Sequence, residues 1–468
     1  MNKRQLIIKY IAFDILSSLL VWVSFVIYRK TINEFSIINS LAFPHQPLYY
    51  VISLLFFILF CTLTHYLTGY YQTPYQLTRT ATIINTFISS IIISIAVFLI
   101  HKITDVTVSL NYFYISWIIL VAQSFIITII FRSIVSSNVR TNFRTKKWTI
   151  NTLIIGTGQN ALKTEYELST NSDKNTLIGF ISIPNDKIKV ARELILGDIS
   201  KIEDLIISHE IKEIIIASED TMYDKALFEI INPLFKYNIN ILFTPRLYEI
   251  ITGSAKINQK GLLPLVCITN TTMSNWETSI KRFMDIGIST GSLILLSPIL
   301  AYFIIRIKLE SKGSAFYSQE RIGRYGKPFM IYKFRTMYVG SENGQPMLSS
   351  PNDNRITPTG SILRKYRLDE IPQFWNILKG EMSIVGPRPE RQYFIDQITT
   401  VAPYYCLLYN IRPGLTSWGP IKVGYTDTLD KMINRLNYDI IYLENMSILT
   451  DIKILVYTIE TLLNGKGM

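Results

Sequence analysis

Four apolar runs occupy the first 135 residues, over 6–28, 48–71, 82–101 and 112–131. Each holds about the twenty residues that a helix needs to cross ~30 Å of hydrocarbon. A four-helix transmembrane bundle is therefore expected over 1–135. Tyr49, Tyr50, Tyr70, Tyr71, Tyr112 and Tyr114 cluster near the ends of these runs, where amphipathic rings favour the membrane interface. Asp14 falls inside the first run. An acid so near the interface reads as packing or topology first, with a functional role left open. No small-residue cleavage site follows the first run, which reads as an uncleaved anchor.

From about 150 to 250 the pattern changes to short apolar runs alternating with amphipathic stretches. Strands are expected at 152–156, 177–183, 211–217 and 239–243. Helices are expected at 159–169, near 201–209 and at 224–236. Strands alternating with helices predict a parallel, Rossmann-like α/β domain over 150–250. Its first turn, Gly156-Thr-Gly158-Gln-Asn-Ala161, fits the relaxed fingerprint of a dinucleotide loop, with a strand before it and a helix after. No acid ends the second strand about twenty residues on, and Asp186 comes too late, in a Pro-Asn turn. A vestigial or regulatory nucleotide fold is the favoured reading, over a working oxidoreductase. Residues 251–280 carry few signals and read as a linker.

A second membrane element is expected over 281–308. Lys281 and Arg282 open it, Ile286–Ile305 runs twenty residues without a charge, and Arg306 and Lys308 close it. Ser297 and Pro298 sit mid-segment, where proline removes a helical hydrogen bond. Basic residues flank both ends, so the positive-inside bias favours a re-entrant hairpin that bends at Ser297-Pro298, a kinked complete span being the alternative. The same bias orients the bundle. Lys3, Arg4 and Lys9 precede the first run, and Arg132, Arg140, Arg144, Lys146 and Lys147 follow the fourth. The intervening outer loops carry only Arg29 and Lys30 in one case and Lys102 in the other, which places both ends of the bundle in the cytoplasm.

Composition narrows the chemistry. The 468-residue chain is 49% hydrophobic and 18% charged, too apolar for a soluble enzyme and too polar to lie wholly in lipid. The formal net charge of +12 would suit anionic lipid, phosphorylated substrates or nucleic acid. Without zinc-finger spacing or a long basic run, nucleic acid is not expected. Cys61, Cys267 and Cys406 are far apart and form no metal or redox pattern, which fits a reducing compartment. His45, His65, His101 and His209 all precede residue 281, so the C-terminal part cannot hold a Ser-His-Asp triad or a histidine-built metal site. Carboxylates, lysines and arginines must do its chemistry.

Those residues are concentrated after 310. Runs at 316–322 and 329–335 flank Gly323-Arg-Tyr-Gly326 as a hairpin, which sets Lys333 and Arg335 on one strand face. A polar loop, 340–355, follows. Then Arg364-Lys-Tyr-Arg367-Leu-Asp369-Glu370-Ile-Pro372 puts two adjacent carboxylates ahead of a helix opened by proline. At a helix N-terminus free N–H groups favour an ionised acid. Such an acid can act as a nucleophile, with arginines holding a phosphate beside it. Gly386-Pro-Arg388-Pro389 fixes a further guanidinium between two prolines. An N-cap with surface arginines, a solvated strand face and a structural turn are the bland alternatives.

Taken together, residues from about 280 onward resemble the bacterial sugar transferase family, the monotopic phosphoglycosyl transferases. The resemblance rests on Lys281-Arg282 with Ser297-Pro298, on Gln319-Glu-Arg-Ile-Gly323 and on Tyr332-Lys-Phe-Arg-Thr-Met337. It extends through Arg364–Asn376, Leu378–Pro389 and Arg412-Pro-Gly-Leu-Thr416. The four spans and α/β domain look like the long architecture of that family, the polyprenyl-phosphate hexose-1-phosphate transferases. The implied fold is a multidomain integral membrane protein, in which 281–468 forms a mostly helical monotopic catalytic domain with its re-entrant hairpin.

The resemblance also implies a reaction. Asp369 would attack the sugar-linked phosphate of a UDP-sugar, glucose or galactose by family habit, and release UMP. Undecaprenyl phosphate would then accept the phosphosugar, the first membrane step of exopolysaccharide, capsule or O-antigen synthesis. Glu370 would complete the dyad. Lys333, Arg364 and Arg388 would contact phosphate, with Arg335 and Arg367 as weaker candidates, since the family often has Ser at the latter position. Mg²⁺ would bind Asp369, the diphosphate and water. The protein would be multi-pass in the bacterial inner membrane with both soluble domains cytoplasmic, and homo-oligomerisation is left open. A membrane-anchored nucleotide-sugar dehydratase would need Tyr-x-x-x-Lys, which is absent. A non-enzymatic export scaffold would leave the ordered Lys333, Asp369 and Arg388 unexplained.

Overall fold

The computed structural model describes residues 3–34, 47–72, 78–104, 110–171, 174–184, 186–218, 225–244, 265–269, 272–340, 353–424 and 428–463. Most of the expected linker, and the polar loop up to residue 352, lie outside the described residues. The chain divides into two compact units, one of Met1–Trp148 with Ser274–Ile280, the other of Thr149–Met273 with Lys281–Met468.

The first unit holds α1 (Lys3–Glu34), α2 (Pro47–Leu67), α3 (Arg79–Thr104) and α4 (Leu110–Arg144). All four are long and apolar enough to cross a membrane. Their polarity is inverted relative to a water-soluble bundle. Leu55, Phe56, Leu59 and Ile118 face outward, while Asp14, Ser17, Thr86, Ser89, Ser94 and Arg132 are buried. Lipid makes outward apolar faces free of cost, and interior polar groups then find partners inside. Arg132 was expected among the charges that follow the fourth span. Instead it lies inside α4, fully buried, with Nε 2.9 Å from Asp14 Oδ1 and Nη2 3.0 Å from Asp14 Oδ2. Tyr71 donates to the same acid at 2.6 Å, and Arg132 Nη1 donates to Thr86 at 2.9 Å. Asp14 is therefore a helix-packing residue.

The second unit begins with a six-stranded sheet of order β3-β2-β1-β4-β5-β6. Its strands are β1 (Ile150–Ile155), β2 (Asn175–Ser182), β3 (Ile195–Asp198), β4 (Glu213–Ile216), β5 (Asn240–Phe243) and β6 (Val266–Cys267). The first five pair in parallel and β6 is antiparallel. Connecting helices are α5 (Gln159–Asn171), α6 (Ile202–Ser208) and α7 (Lys225–Leu234). Leu153–Ile155 and Ile214–Ile215 are fully buried, as continuous apolar runs in central parallel strands should be. Neither β3 nor β6 was foreseen. The first is a short edge strand with half-buried residues, and the second comprises two residues within the expected linker.

The membrane-type helix of the C-terminal half starts earlier than its apolar run. α8 spans Asn275–Leu295, because Ser274 and Glu277 form a capping pair: Ser274 N and Oγ donate to Glu277 Oε2 at 2.9 and 2.7 Å. α9 (Ser297–Glu310) follows at an angle of 60°, with Pro298 in its first turn, where no hydrogen bond is lost. Next come the antiparallel hairpin β7 (Phe316–Ile322) and β8 (Pro328–Phe334), then α10 (Pro358–Lys365) and α11 (Gln373–Lys379). β9 (Ser383–Val385) pairs in parallel with β10 (Gly414–Thr416), and α12 (Gln392–Val401) lies between them in sequence. α13 (Trp418–Val423), α14 (Leu429–Glu444) and α15 (Ile448–Leu463) end the described chain. Phe303 and Ile307 of α9 pack with Phe334 and Leu363, tying the bent helix pair to β8 and α10. Cys406 enters the apolar core of the sheet beside Ile231 and Phe235, so residues 403–410 rest directly on the α/β domain.

Candidate active site

The site is assembled on β8. Alternation along this strand buries Phe334 and leaves Lys333 on the other face, where its Nζ lies 2.7 Å from Glu370 Oε1. Asn376 of α11 holds the opposite wall in place: it accepts from Tyr332 N at 3.2 Å and donates to Met330 O at 2.7 Å.

Asp369 and Glu370 lie in a 3₁₀ turn, Leu368–Glu370, and Pro372 is the cap residue of α11 rather than part of its first turn. The expectation of a helix N-terminus is corrected accordingly. Arg367 enters the turn at φ 53°, a left-handed conformation that side-chain-bearing residues disfavour. Side-chain cations, not helix-end amides, neutralise Glu370.

Arg388 is brought in by backbone contact. A Cβ on Gly386 would lie 2.6 Å from Arg412 O, so only glycine lets the two segments touch. Gly386 N donates to Thr416 O at 3.0 Å and Gly414 N to Pro387 O at 2.8 Å. The loop held in this way sets Arg388 Nη2 3.2 Å from Glu370 Oε1. Arg367 Nη1 stands 3.7 Å from Glu370 Oε2. Arg364 donates Nε to Thr336 Oγ1 at 2.9 Å and faces no acid at ion-pair distance among the described residues.

The two carboxylates are thus unequal. Burial would push Glu370 up, but Lys333, Arg388 and Arg367 outweigh it and hold the group well below the usual glutamate range. Asp369 accepts no hydrogen bond among the described residues. Burial raises its pKa, Lys333 partly offsets that, and the neighbouring Glu370 charge raises it further.

Arg335 does not join the cluster. β8 ends at Phe334, and the guanidinium of Arg335 turns to the C-terminal end of α9. It donates to Lys312 O (3.0 Å), to Ile307 O (3.3 Å) and to Ser311 O and Oγ (2.8 and 2.9 Å). A buried guanidinium whose two Nη groups are taken up at a helix end is a structural cap, so its expected phosphate contact is withdrawn. Ser297 and Pro298 sit at the bend between α8 and α9. Gly156 and Gly158 belong to the loop after β1, in the α/β domain.

Several residues behind the site were missed. Glu390 pairs with Arg321 at 3.4 Å and with Arg435 of α14. Next to them Asp439 is pushed up to about 7 by burial, which the Arg435 charge only partly offsets. Met432, Arg435, Leu436, Asp439, Tyr442 and Leu443 form one buried helical face. Charges within an otherwise apolar i, i+3, i+4, i+7 stripe were the signal available in the sequence. Lys281 likewise pairs with Asp451 at 2.5 Å and donates to Val385 O at 2.9 Å, anchoring α8 beside β9.

No group of three or more metal-ligating side chains occurs among the described residues. With Glu370 engaged by cations, Asp369 is the one carboxylate of the pair left to meet a metal. A single carboxylate fits Mg²⁺, which keeps waters and takes substrate phosphate oxygens, and does not fit a cation needing a protein cage.

The fold and site define a membrane protein with a carboxylate pair set among lysine and arginine side chains. A sequence profile described as bacterial sugar transferase matches residues 276–465, and one described as CoA-binding domain matches 62–245. A UDP-N-acetylgalactosamine-undecaprenyl-phosphate N-acetylgalactosaminephosphotransferase of Aeromonas hydrophila is 37% identical over 236 residues, covering 49% of this chain and 54% of the relative. Two relatives are UDP-glucose:undecaprenyl-phosphate glucose-1-phosphate transferases. The Escherichia coli one is 34% identical, covering 49% of this chain and 50% of its own length. The Caulobacter vibrioides one is 37% identical, covering 39% and 69%. The match thus spans about half the length of the first two relatives. The chain belongs to the bacterial sugar transferase family.

Proposed function

We propose that this protein transfers a hexose-1-phosphate from a UDP-sugar to undecaprenyl phosphate. The observation that carries the reading is the inequality of the carboxylates: Glu370 bound by Lys333 and Arg388, Asp369 unbound beside them. An unbound carboxylate in a ring of cations is placed to attack phosphorus while the cations take up the phosphate charge.

An Asp369 carboxylate oxygen forms a bond to the sugar-bearing phosphorus, and the bond from that phosphorus to the bridging oxygen of the diphosphate breaks. The electron pair leaves with UMP. An oxygen of undecaprenyl phosphate then attacks the same phosphorus, the bond to Asp369 breaks, and the free carboxylate returns with undecaprenyl-diphospho-sugar. Lys333, Arg364 and Arg388 hold phosphate oxygens, and Arg367 adds charge at the rim. Mg²⁺ bound by Asp369 and the diphosphate would neutralise charge on the leaving group.

The bend at Leu296 supports a re-entrant insertion of α8 and α9 into the inner leaflet of the bacterial inner membrane. Both soluble domains would then face the cytoplasm and its UDP-sugars. A site anchored at the bilayer surface meets its lipid acceptor with little loss of translational freedom. The relatives' names include both glucose and N-acetylgalactosamine, so the donor screen spans both classes.

The test is Asp369→Asn in native membranes. UMP release from radiolabelled UDP-sugars should fall to background with membrane insertion preserved, and wild type should yield a phosphosugar mass adduct on Asp369. Product formation by the Asn variant at the wild-type rate sinks the proposal.

A further inference from the structure

The α/β domain presents the sequence of a phosphate loop, yet the chain fills that loop itself. Gly156 adopts φ 118°, and a Cβ there would lie 2.8 Å from Ala217 O, at the end of the neighbouring β4. The next residue, Thr157, donates its backbone N–H to Asp186 Oδ2 at 2.8 Å. The same oxygen is 3.3 Å from the Gly156 Cβ position. In a dinucleotide fold the backbone amides at this turn, ahead of the helix, point at the pyrophosphate. Here a carboxylate already occupies one of them.

Other contacts fix the arrangement. Lys189 N donates to Thr157 O at 2.8 Å, and Lys189 Nζ donates to Gln159 Oε1 at 3.1 Å. The segment carrying Asp186 is therefore stitched to the turn and to the first residue of α5. The Thr157 hydroxyl is fully buried and has no hydrogen-bond partner among the described residues. At the end of β2, where a ribose-binding acid would stand, Ser182 instead donates to Gly197 O at 3.1 Å. Among the described residues, one amide of the turn is already taken and no acid ends β2.

We propose that Asp186 is the built-in anion of this turn, and that the domain is a self-capped nucleotide fold that excludes phosphate-bearing cofactors such as coenzyme A and NAD. Its carboxylate supplies the hydrogen-bond acceptor and negative charge that a pyrophosphate would otherwise bring. The CoA-binding profile thus marks ancestry of the fold, and the residues present do not fit that ligand.

The experiment uses the full chain in lipid nanodiscs, with hydrogen exchange followed in peptides over 150–163 while coenzyme A or NAD is titrated. Peptides around Asp369 report separately on any binding at the transferase site. Wild type should show no protection at 156–161 at millimolar ligand. Asp186→Ala, with Asp186→Gly as a second variant, should exchange faster at Thr157 and gain ligand protection. Its apparent affinity should be at least about tenfold tighter than wild type, since a like charge at the phosphate position is removed. Protection of wild type equal to that of the variants overturns the proposal. So does indifference of both folded variants to both ligands.

Discussion

Lys333 Nζ lies 2.7 Å from Glu370 Oε1, so the acid that follows Asp369 is the one the strand lysine neutralises. The relationship separates the pair chemically: one carboxylate is spent on holding cations, and the other keeps its lone pairs.

A pH dependence with a definite sign follows. On the proposed mechanism Asp369 must be ionised to attack, and burial raises its pKa, so activity should have an acid limb above the ordinary aspartate range. Lys333→Met removes the charge that most favours ionisation of both acids. The acid limb of UMP release should move to higher pH, and the rate at neutral pH should fall about 100-fold. For stability, Glu370 is depressed, so its contribution is complete above the normal glutamate pKa and is lost as pH falls towards the depressed value. Acid unfolding of wild type should therefore begin below the point at which Lys333→Met unfolds.

Arg335 and Arg388 should fail in different ways. Arg335→Ala leaves the carbonyls of Ser311 and Lys312 without their guanidinium donor and should cost about 2–4 kcal/mol of stability. The KM of the protein that remains folded should not change. Arg388→Ala should lower kcat, with a smaller loss of Tm than Arg335→Ala because Lys333 still pairs with Glu370. Thermal unfolding and steady-state kinetics on the two variants distinguish the roles.

Arg367→Gly should be at least as stable as wild type. Glycine relieves a left-handed strain of about 1 kcal/mol, and the 3.7 Å pair with Glu370 that it removes is weak and partly exposed. Arg367→Ala keeps the strain and loses the pair, so it should melt lower than either. Differential scanning fluorimetry in detergent ranks the three.

The Asp14–Arg132 pair predicts non-additive behaviour. Asp14→Leu alone leaves a buried guanidinium unpaired and should cost about 3–5 kcal/mol, whereas Asp14→Leu with Arg132→Leu should cost much less. Steric-trap or denaturant unfolding in bicelles measures these two and Arg132→Leu alone, and additivity of the two single effects would argue against a coupled pair.

Asp439 gives the opposite pH sign to Glu370. Its pKa is raised to about 7, so the buried charge destabilises the fold progressively as pH rises from the normal aspartate range to about 7. Asp439→Asn should gain stability over wild type by about 4 kcal/mol above neutrality, a gain that shrinks as pH falls and vanishes below the normal aspartate pKa, in paired melts across pH.

Hydrophobic periodicity alone determined much of this molecule. Twenty-residue apolar runs and alternating short strands are local signals, and α1–α4, the parallel sheet, the β7–β8 hairpin and the bend near Pro298 follow them. The motif residues Lys333, Asp369, Glu370 and Arg388 could be named through the family resemblance of their motifs, and the structure gathers Lys333 and Arg388 on Glu370 beside Asp369.

Tertiary structure decided which charges meet. Arg132 counted in the sequence as a flanking cation, yet it pairs with an acid 118 positions away. Arg335 shares a strand face with Lys333 on paper, but the strand stops one residue earlier and the end of α9 takes its guanidinium. Asp186 looked misplaced for a ribose acid and sits instead on the amide of Thr157. In each case the deciding term is a long-range hydrogen bond made in a low-dielectric interior, and its partner is fixed by packing rather than by spacing along the chain.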